Sequence, residues 1–128
     1  MYDRYMIVGE EFRNVIENGE ITGFQIGARM PYFASVYLSL IGRTALTVDG
    51  EQFPPKQMKV TVGGKTYPHT KLEDYPNDKW EFGEVGIITV LKPGGLQPGE
   101  HTVDLHQHLK ISYIPGGLHG HDTKVLVL

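Results

Sequence analysis

Apolar and polar residues alternate most cleanly between Gly23 and Met30. Phe24, Ile26, Ala28 and Met30 fall on one side of an extended strand, and Gln25, Gly27 and Arg29 on the other. Met30-Pro31 closes the run, because proline keeps its predecessor extended and removes a ladder donor. Tyr32 and Phe33 follow, then Ala34-Ser35, then a second β-rich run over residues 36–41. Upstream, residues 12–17 and 20–22 flank Asn18-Gly19, a strong hairpin signal that sets Ile16 opposite Ile21. The apolar parity switches between Ile21 and Phe24, which predicts a bulge at Gly23.

Downstream, residues 44–48 run into Asp49-Gly50 and return through 51–53, where Pro54-Pro55 ends the strand. Met58, Val60 and Val62 alternate with polar residues, and Gly63-Gly64 turns the chain into 65–67. Residues 68–79, PHTKLEDYPNDK, read as a polar loop. Residues 80–82 resume extended structure, and 85–91 are apolar on both faces, as in a central strand. Residues 101–114 form a long strand with Val103, Leu105, Leu109, Ile111 and Tyr113 facing in. From about residue 115 the chain reads as a loop-like tail, with at most an edge strand over 125–128. No stretch supports a helix of ordinary length. The pattern predicts an all-β protein: one antiparallel β-sandwich or jelly-roll-like domain spanning residues 1–128.

Composition narrows the function classes. The 128 residues carry a net charge of −3 with both signs interspersed, which argues against a nucleic-acid or anionic-membrane surface. There is no cysteine, so disulfides, thiolate metal sites and a cysteine nucleophile are excluded. The N-terminal MYDRYMIVGEEF lacks an apolar signal region and no run approaches a membrane span, so a soluble cytoplasmic protein is expected.

Several constellations bear on chemistry. Asp104, His106 and His108 share one face of a strand, the way some β-barrel enzymes present two imidazoles and a carboxylate to a metal. His119 and His121, followed by Asp122, repeat the spacing in glycine-rich sequence. Against this, Thr102, Asp104, His106, His108 and Lys110 also describe the polar face of a half-buried strand, and Lys110 sets a positive charge beside any metal. The second reading is preferred, and no metal is assigned. The carboxylate pairs Glu10-Glu11 and Glu73-Asp74 lie in loop-like sequence, and Glu81 and Glu84 flank Phe82-Gly83 without assignable acid and base roles. Ser35, Ser39 and Ser112 lack a nucleophile-elbow context. Gly94-Gly95 and Gly116-Gly117 are not followed by helices that would hold a phosphate. Seven tyrosines supply stacking surfaces for sugar rings, so a free-standing carbohydrate-binding β-sandwich module is the alternative reading.

The run GFQIGARMPYF at 23–33, with LTVDG at 46–50, WEFGEV at 80–85, GLQPGEH at 95–101 and ISYIP at 111–115, resembles the small β subunit of bacterial C-glycoside deglycosidases. The likeness covers the chain from Tyr5 to about Pro115 and leaves the GGLHGHDT tail unmatched, so nothing is carried over to His119 or His121. The resemblance implies a β-sandwich without catalytic residues, metal or cofactor of its own. It would pack on a barrel-type large subunit that carries a divalent metal, manganese, and the acid/base residues. The substrate implied is a 3-oxo-C-glycoside, whose keto group acidifies the neighbouring sugar C–H and permits an elimination-type break of the anomeric C–C bond. With that partner in view, Arg29, Met30, Pro31, Tyr32 and Phe33 are assigned to the partner interface or substrate entrance, since interface cores favour Arg, Met and aromatics. The plainer reading of the same stretch is a strand, an edge proline and ordinary core aromatics.

Overall fold

The computed structural model describes residues 2–128. At Asn18-Gly19, Asp49-Gly50 and Gly63-Gly64 both central residues have positive φ (52° and 79°, 51° and 85°, 61° and 79°). This is the mirror-image turn whose twist matches an antiparallel hairpin. These turns join β1 (Ile7–Glu17) to β2 (Glu20–Ala28), β4 (Ile41–Val48) to β5 (Glu51–Phe53), and β6 (Met58–Val62) to β7 (Lys65–Pro68), with the short β3 (Val36–Tyr37) in between. The chain continues through β8 (Lys79–Trp80), β9 (Gly86–Leu91), β10 (Glu100–Leu109) and β11 (Leu118–Val127).

Two antiparallel sheets result, in the orders β1-β2-β9-β6-β7 and β11-β10-β4-β5, with β3 and β8 forming a small ribbon. The alternating residues of each sheet fill the space between them. Phe24, Ile26, Met58, Val60, Ile88 and Val90 come from one side and Leu46, Val48, Val103, Leu105 and Leu109 from the other, all buried. The protein is an all-β sandwich, and β9 is the central strand of its sheet, as the apolar run at 85–91 predicts.

The sheet edges are joined by a displacement within β1. Val8 pairs with Gly27 and Arg13 with Gln25, so four residues of β1 stand against one of β2. The excess carries the start of β1 across to β11, where the Ile7 N–H donates to Asp122 Oδ2 at 3.0 Å. The predicted bulge near Gly23 is present: Val15 pairs with Gly23 and Ile16 with Ile21, leaving Thr22 without a partner in the ladder. Gly23 itself is required by close approach, since a Cβ there would stand 1.9 Å from the Val90 carbonyl oxygen.

Four sequence expectations need correction. The tail from about residue 115 is not a loop, because residues 118–127 pair with β10 along its whole length. Its inward positions include Gly120, Asp122 and Lys124 rather than apolar residues, so the alternation that marks a strand is hidden. The β-rich run 36–41 is broken by a 3₁₀ turn at Leu38–Leu40, which buries Leu38 completely. The polar loop 68–79 contains a 3₁₀ turn, His69–Asp74, whose His69 and Leu72 are buried. Finally, β10 stops at Leu109; Ile111 remains buried, but Tyr113 is 65% exposed.

Two buried histidines face opposite demands. Thr44 Oγ1 donates to Gln107 Oε1 at 2.6 Å, which uses its only proton, so His69 Nε2–H donates to Thr44 at 2.7 Å. Gln107 Nε2 passes the chain on to the carbonyls of Arg43 and His108. Burial pushes the His69 pKa down. His101 is flanked by acceptors on both nitrogens, Asp49 Oδ2 and the Gln97 carbonyl, each at 2.6 Å. Its imidazolium form satisfies both, and the Asp49 hydrogen bond, followed by that to Gln97, pushes its pKa up.

The signs predict opposite pH flanks. His101's contribution is fully present below the unfolded value of 6.5 and is lost as pH rises through its raised folded pKa. His69's contribution is present above 6.5 and is lost as pH falls through its lowered folded pKa. In urea midpoints taken from about pH 5 to about pH 8, His101→Gln is expected to flatten the alkaline flank and His69→Gln the acid flank. Unchanged profiles in both variants would show that other groups set the pH dependence.

Candidate partner interface and substrate entrance

The assigned stretch begins where β2 ends. Met30 completes the buried face begun by Phe24, Ile26 and Ala28, all at 8% exposure or less. Pro31 is seated against Gly120 of β11, where a Cβ would stand 2.5 Å from Pro31 Cγ. The chain therefore leaves the sheet at a fixed angle. A tight Tyr32 N–H to Met30 carbonyl bond, 2.9 Å, turns the next two side chains outward.

Tyr32 is half-buried and Phe33 is 60% exposed, with their rings 4.6 Å apart. The Tyr32 hydroxyl is hydrogen-bonded to that of Tyr113, which raises the Tyr32 pKa. Pro31, Tyr32, Phe33, Tyr113, Ile114 and Leu118 line one cleft of 590 Å³, together with Tyr2, Asp3 and His119. A neighbouring cleft of 280 Å³ lies on the other side of the stretch and is lined by Arg29, Met30, Tyr2, Tyr5 and Phe82-Gly83.

Arg29 holds these segments together. Its Nε donates to the Gly83 carbonyl at 3.2 Å, its Nη1 to the Tyr5 carbonyl at 3.3 Å, and its backbone N–H to the Met6 carbonyl at 2.8 Å. As the alternation predicts, its side chain lies on the opposite face from Phe24 and Ile26, but it is tied to two loops rather than free. Tyr2 packs edge-on against Phe82 at 5.7 Å. Tyr5, Phe33, Phe82 and Tyr113 are each at least 48% exposed, so this end of the sandwich is a continuous aromatic surface around two clefts.

The stretch 29–33 signals this end in the sequence. Tyr2, Tyr5, Phe82 and Tyr113 join it only through the fold, although Phe82 beside Gly83 and Tyr113 before Pro115-Gly116-Gly117 are aromatics set in turns, which is a readable sign of exposure. The tyrosines do not form one platform: Tyr67 and Tyr75 pack edge to face at 4.7 Å and line neither cleft. Glu81 and Glu84 have structural partners. Glu81 accepts the Ser35 hydroxyl, and Glu84 accepts the backbone N–H groups of Glu81 and Gly63.

Four of the six histidines meet in cross-strand pairs on the outer face of the four-stranded sheet. His106 faces His121 and His108 faces His119. The sequence grouping of Asp104 and His106 with His108 is thereby changed, because Asp104 lies beside His106 and His121.

The family model for the C-glycoside deglycosidase beta subunit matches residues 2–113. The chain belongs to this family. Among similar proteins, the C-glycoside deglycosidase beta subunit of Eubacterium cellulosolvens is 32% identical over 114 residues, covering 88% of this chain and 78% of that one. The Arthrobacter globiformis protein of the same description is 29% identical, covering 79% and 81%. The 3'-dehydrocarminate deglycosidase beta subunit of a Microbacterium species is 27% identical, covering 73% and 70%. The matched span of this beta-subunit chain takes in the 29–33 stretch, Phe82 and Tyr113, whereas β11 lies beyond it.

Proposed function

We propose that this chain is the non-catalytic small subunit of a carbon–carbon lyase, packing on a metal-dependent barrel-type large subunit that cleaves the C–C bond of 3-oxo-C-glycosides. The observation that carries the reading is the exposed aromatic end. A lone chain gains nothing from leaving Phe33, Phe82 and Tyr113 in water beside two clefts, whereas a partner surface gains hot-spot contacts from them. Arg29 to Phe33 then border the contact and the entrance to the partner's active site. The divalent metal, manganese on this reading, and the acid/base residues belong to the large subunit. A cytoplasmic setting goes with this assignment; no helix among the described residues is long and apolar enough to cross a membrane.

The purified chain is expected to show no turnover of a 3-oxo-C-glucoside alone and full turnover once its large subunit is added. Turnover by the metal-stripped lone chain would overturn the proposal. Measurable sugar affinity of the lone chain, without any effect of the partner, would favour the carbohydrate-binding module instead. Arg29→Ala is expected to leave the chain folded and to weaken association, or lower turnover of the complex, about tenfold, equivalent to about 1.4 kcal/mol. It acts by releasing the Gly83 and Tyr5 loops.

A further inference from the structure

The outer face of β10 and β11 carries two imidazole pairs with different surroundings. His108 and His119 stack at 4.6 Å, and both Nε2 atoms approach the Gly116 carbonyl, at 3.1 and 3.2 Å. Glycine backbone covers both nitrogens of His108: a Cβ at Gly42 would stand 2.3 Å from its Nδ1 and one at Gly117 2.4 Å from its Nε2. That pair has little room for a ligand.

His106 and His121 differ. Their rings stack at 3.8 Å and only 10° from parallel, and both direct Nε2 at the Asp104 carboxylate, at 3.2 Å to Oδ2 and 2.6 Å to Oδ1. One ligand atom from each of Asp104, His106 and His121 lies within 4.8 Å of the others. Ligands held at about 2.0–2.2 Å in a tetrahedron stand about 3.4 Å apart, so the two rings must turn out of their near-parallel stack for all three donors to reach one ion, which leaves a position for water. Thr123 Oγ1 donates to Asp104 Oδ1, an outer contact of the kind that orients a metal-binding carboxylate.

The local charge is favourable. Asp3 accepts the His121 backbone N–H at 2.9 Å and so adds a second carboxylate near the cluster. Arg43 borders the cleft beside His106 and is the cation to be outweighed. Lys110 follows the end of β10 and lines a different cleft with His108.

We propose that Asp104, His106 and His121 bind one divalent transition-metal ion of the zinc class, bridging β10 and β11. Two imidazoles and one carboxylate select zinc, nickel or copper over magnesium or calcium. The β10–β11 register holds the three donors near one another before the ion arrives.

The test uses the full chain made without a histidine tag, stripped with chelator and dialysed against zinc, with magnesium as the comparison. One zinc per chain is expected, with no magnesium uptake. Asp104→Asn and His121→Gln should each weaken zinc binding by about tenfold or more, and His119→Gln should leave it unchanged. His106→Gln, on the neighbouring strand, serves as a second ligand variant, and equal urea midpoints establish that the variants are folded. The proposal is overturned by unsaturable zinc uptake, by binding that survives in folded His121→Gln and His106→Gln chains, or by loss of binding in His119→Gln alone.

Discussion

Replacing Phe33 and Tyr113 together with aspartate is expected to weaken association with the large subunit by at least about a hundredfold, equivalent to about 2.7 kcal/mol, while leaving the urea midpoint of the lone chain unchanged. Both side chains are mostly in solvent, 60% and 65% exposed, so the folded chain loses little when they are replaced. Both are anchored by Tyr32, which packs on Phe33 and hydrogen-bonds Tyr113. At an interface the same side chains fill pockets, and truncating buried aromatic anchors costs on the order of 2 kcal/mol each. Aspartate adds the cost of burying an unpaired charge. Val125 and Val127, 59% and 71% exposed on β11, supply the control: aspartate at both should not affect association. Titration of the large subunit with each folded variant decides the matter. If the β11 pair weakens binding and the Phe33–Tyr113 pair does not, the interface lies on the sheet face and the aromatic end has another use.

The sandwich was legible wherever an element declares itself locally. Asn18-Gly19 and Asp49-Gly50 name their turns through φ, and Phe24-Ile26-Ala28-Met30 names its buried face through period two. The elements that escaped are those whose reasons are distant. In β11, Gly120 makes room for Pro31 and Asp122 receives a backbone donor from β1, so each inward position is explained by a partner about ninety residues or more away. His69 looks like loop polarity until Thr44 and Gln107 enclose it. The candidate site divides in the same way. Arg29 to Phe33 stand together in the sequence, but Tyr2, Tyr5, Phe82 and Tyr113 reach that end only because β1 crosses between sheets and the 81–84 turn closes under Arg29. The histidine cluster needed the β10–β11 register before His121 could replace His108 beside Asp104.

Asp122→Ala is expected to destabilise the chain by about 3 kcal/mol, the lower end of the range for breaking a buried ion pair. The carboxylate is 9% exposed and serves two donors, the Ile7 N–H at 3.0 Å and the Lys124 ammonium. Lys124 also donates to the Arg4 carbonyl at 2.7 Å, so one carboxylate ties β11 both to the start of β1 and to the turn at Asp3–Tyr5. Removing it strands a buried amide and half of an ion pair. Because the Lys124 side chain keeps 34% exposure and recovers some hydration, the upper end of the range is not reached. Asp122→Asn retains an acceptor for Ile7 and should cost less, about 1–2 kcal/mol. Lys124→Met in the Asp122→Ala background should return part of the loss, since it removes the orphaned charge. Urea unfolding of the four chains tests the order. The same tie fixes Tyr2 and Tyr5 at the two clefts, so Asp122→Ala should also weaken association with the large subunit at urea-free, fully folded conditions. A stability loss below about 1 kcal/mol would mean that the crossing of β1 is held by its apolar contacts, Met6 and Ile7, and not by this carboxylate.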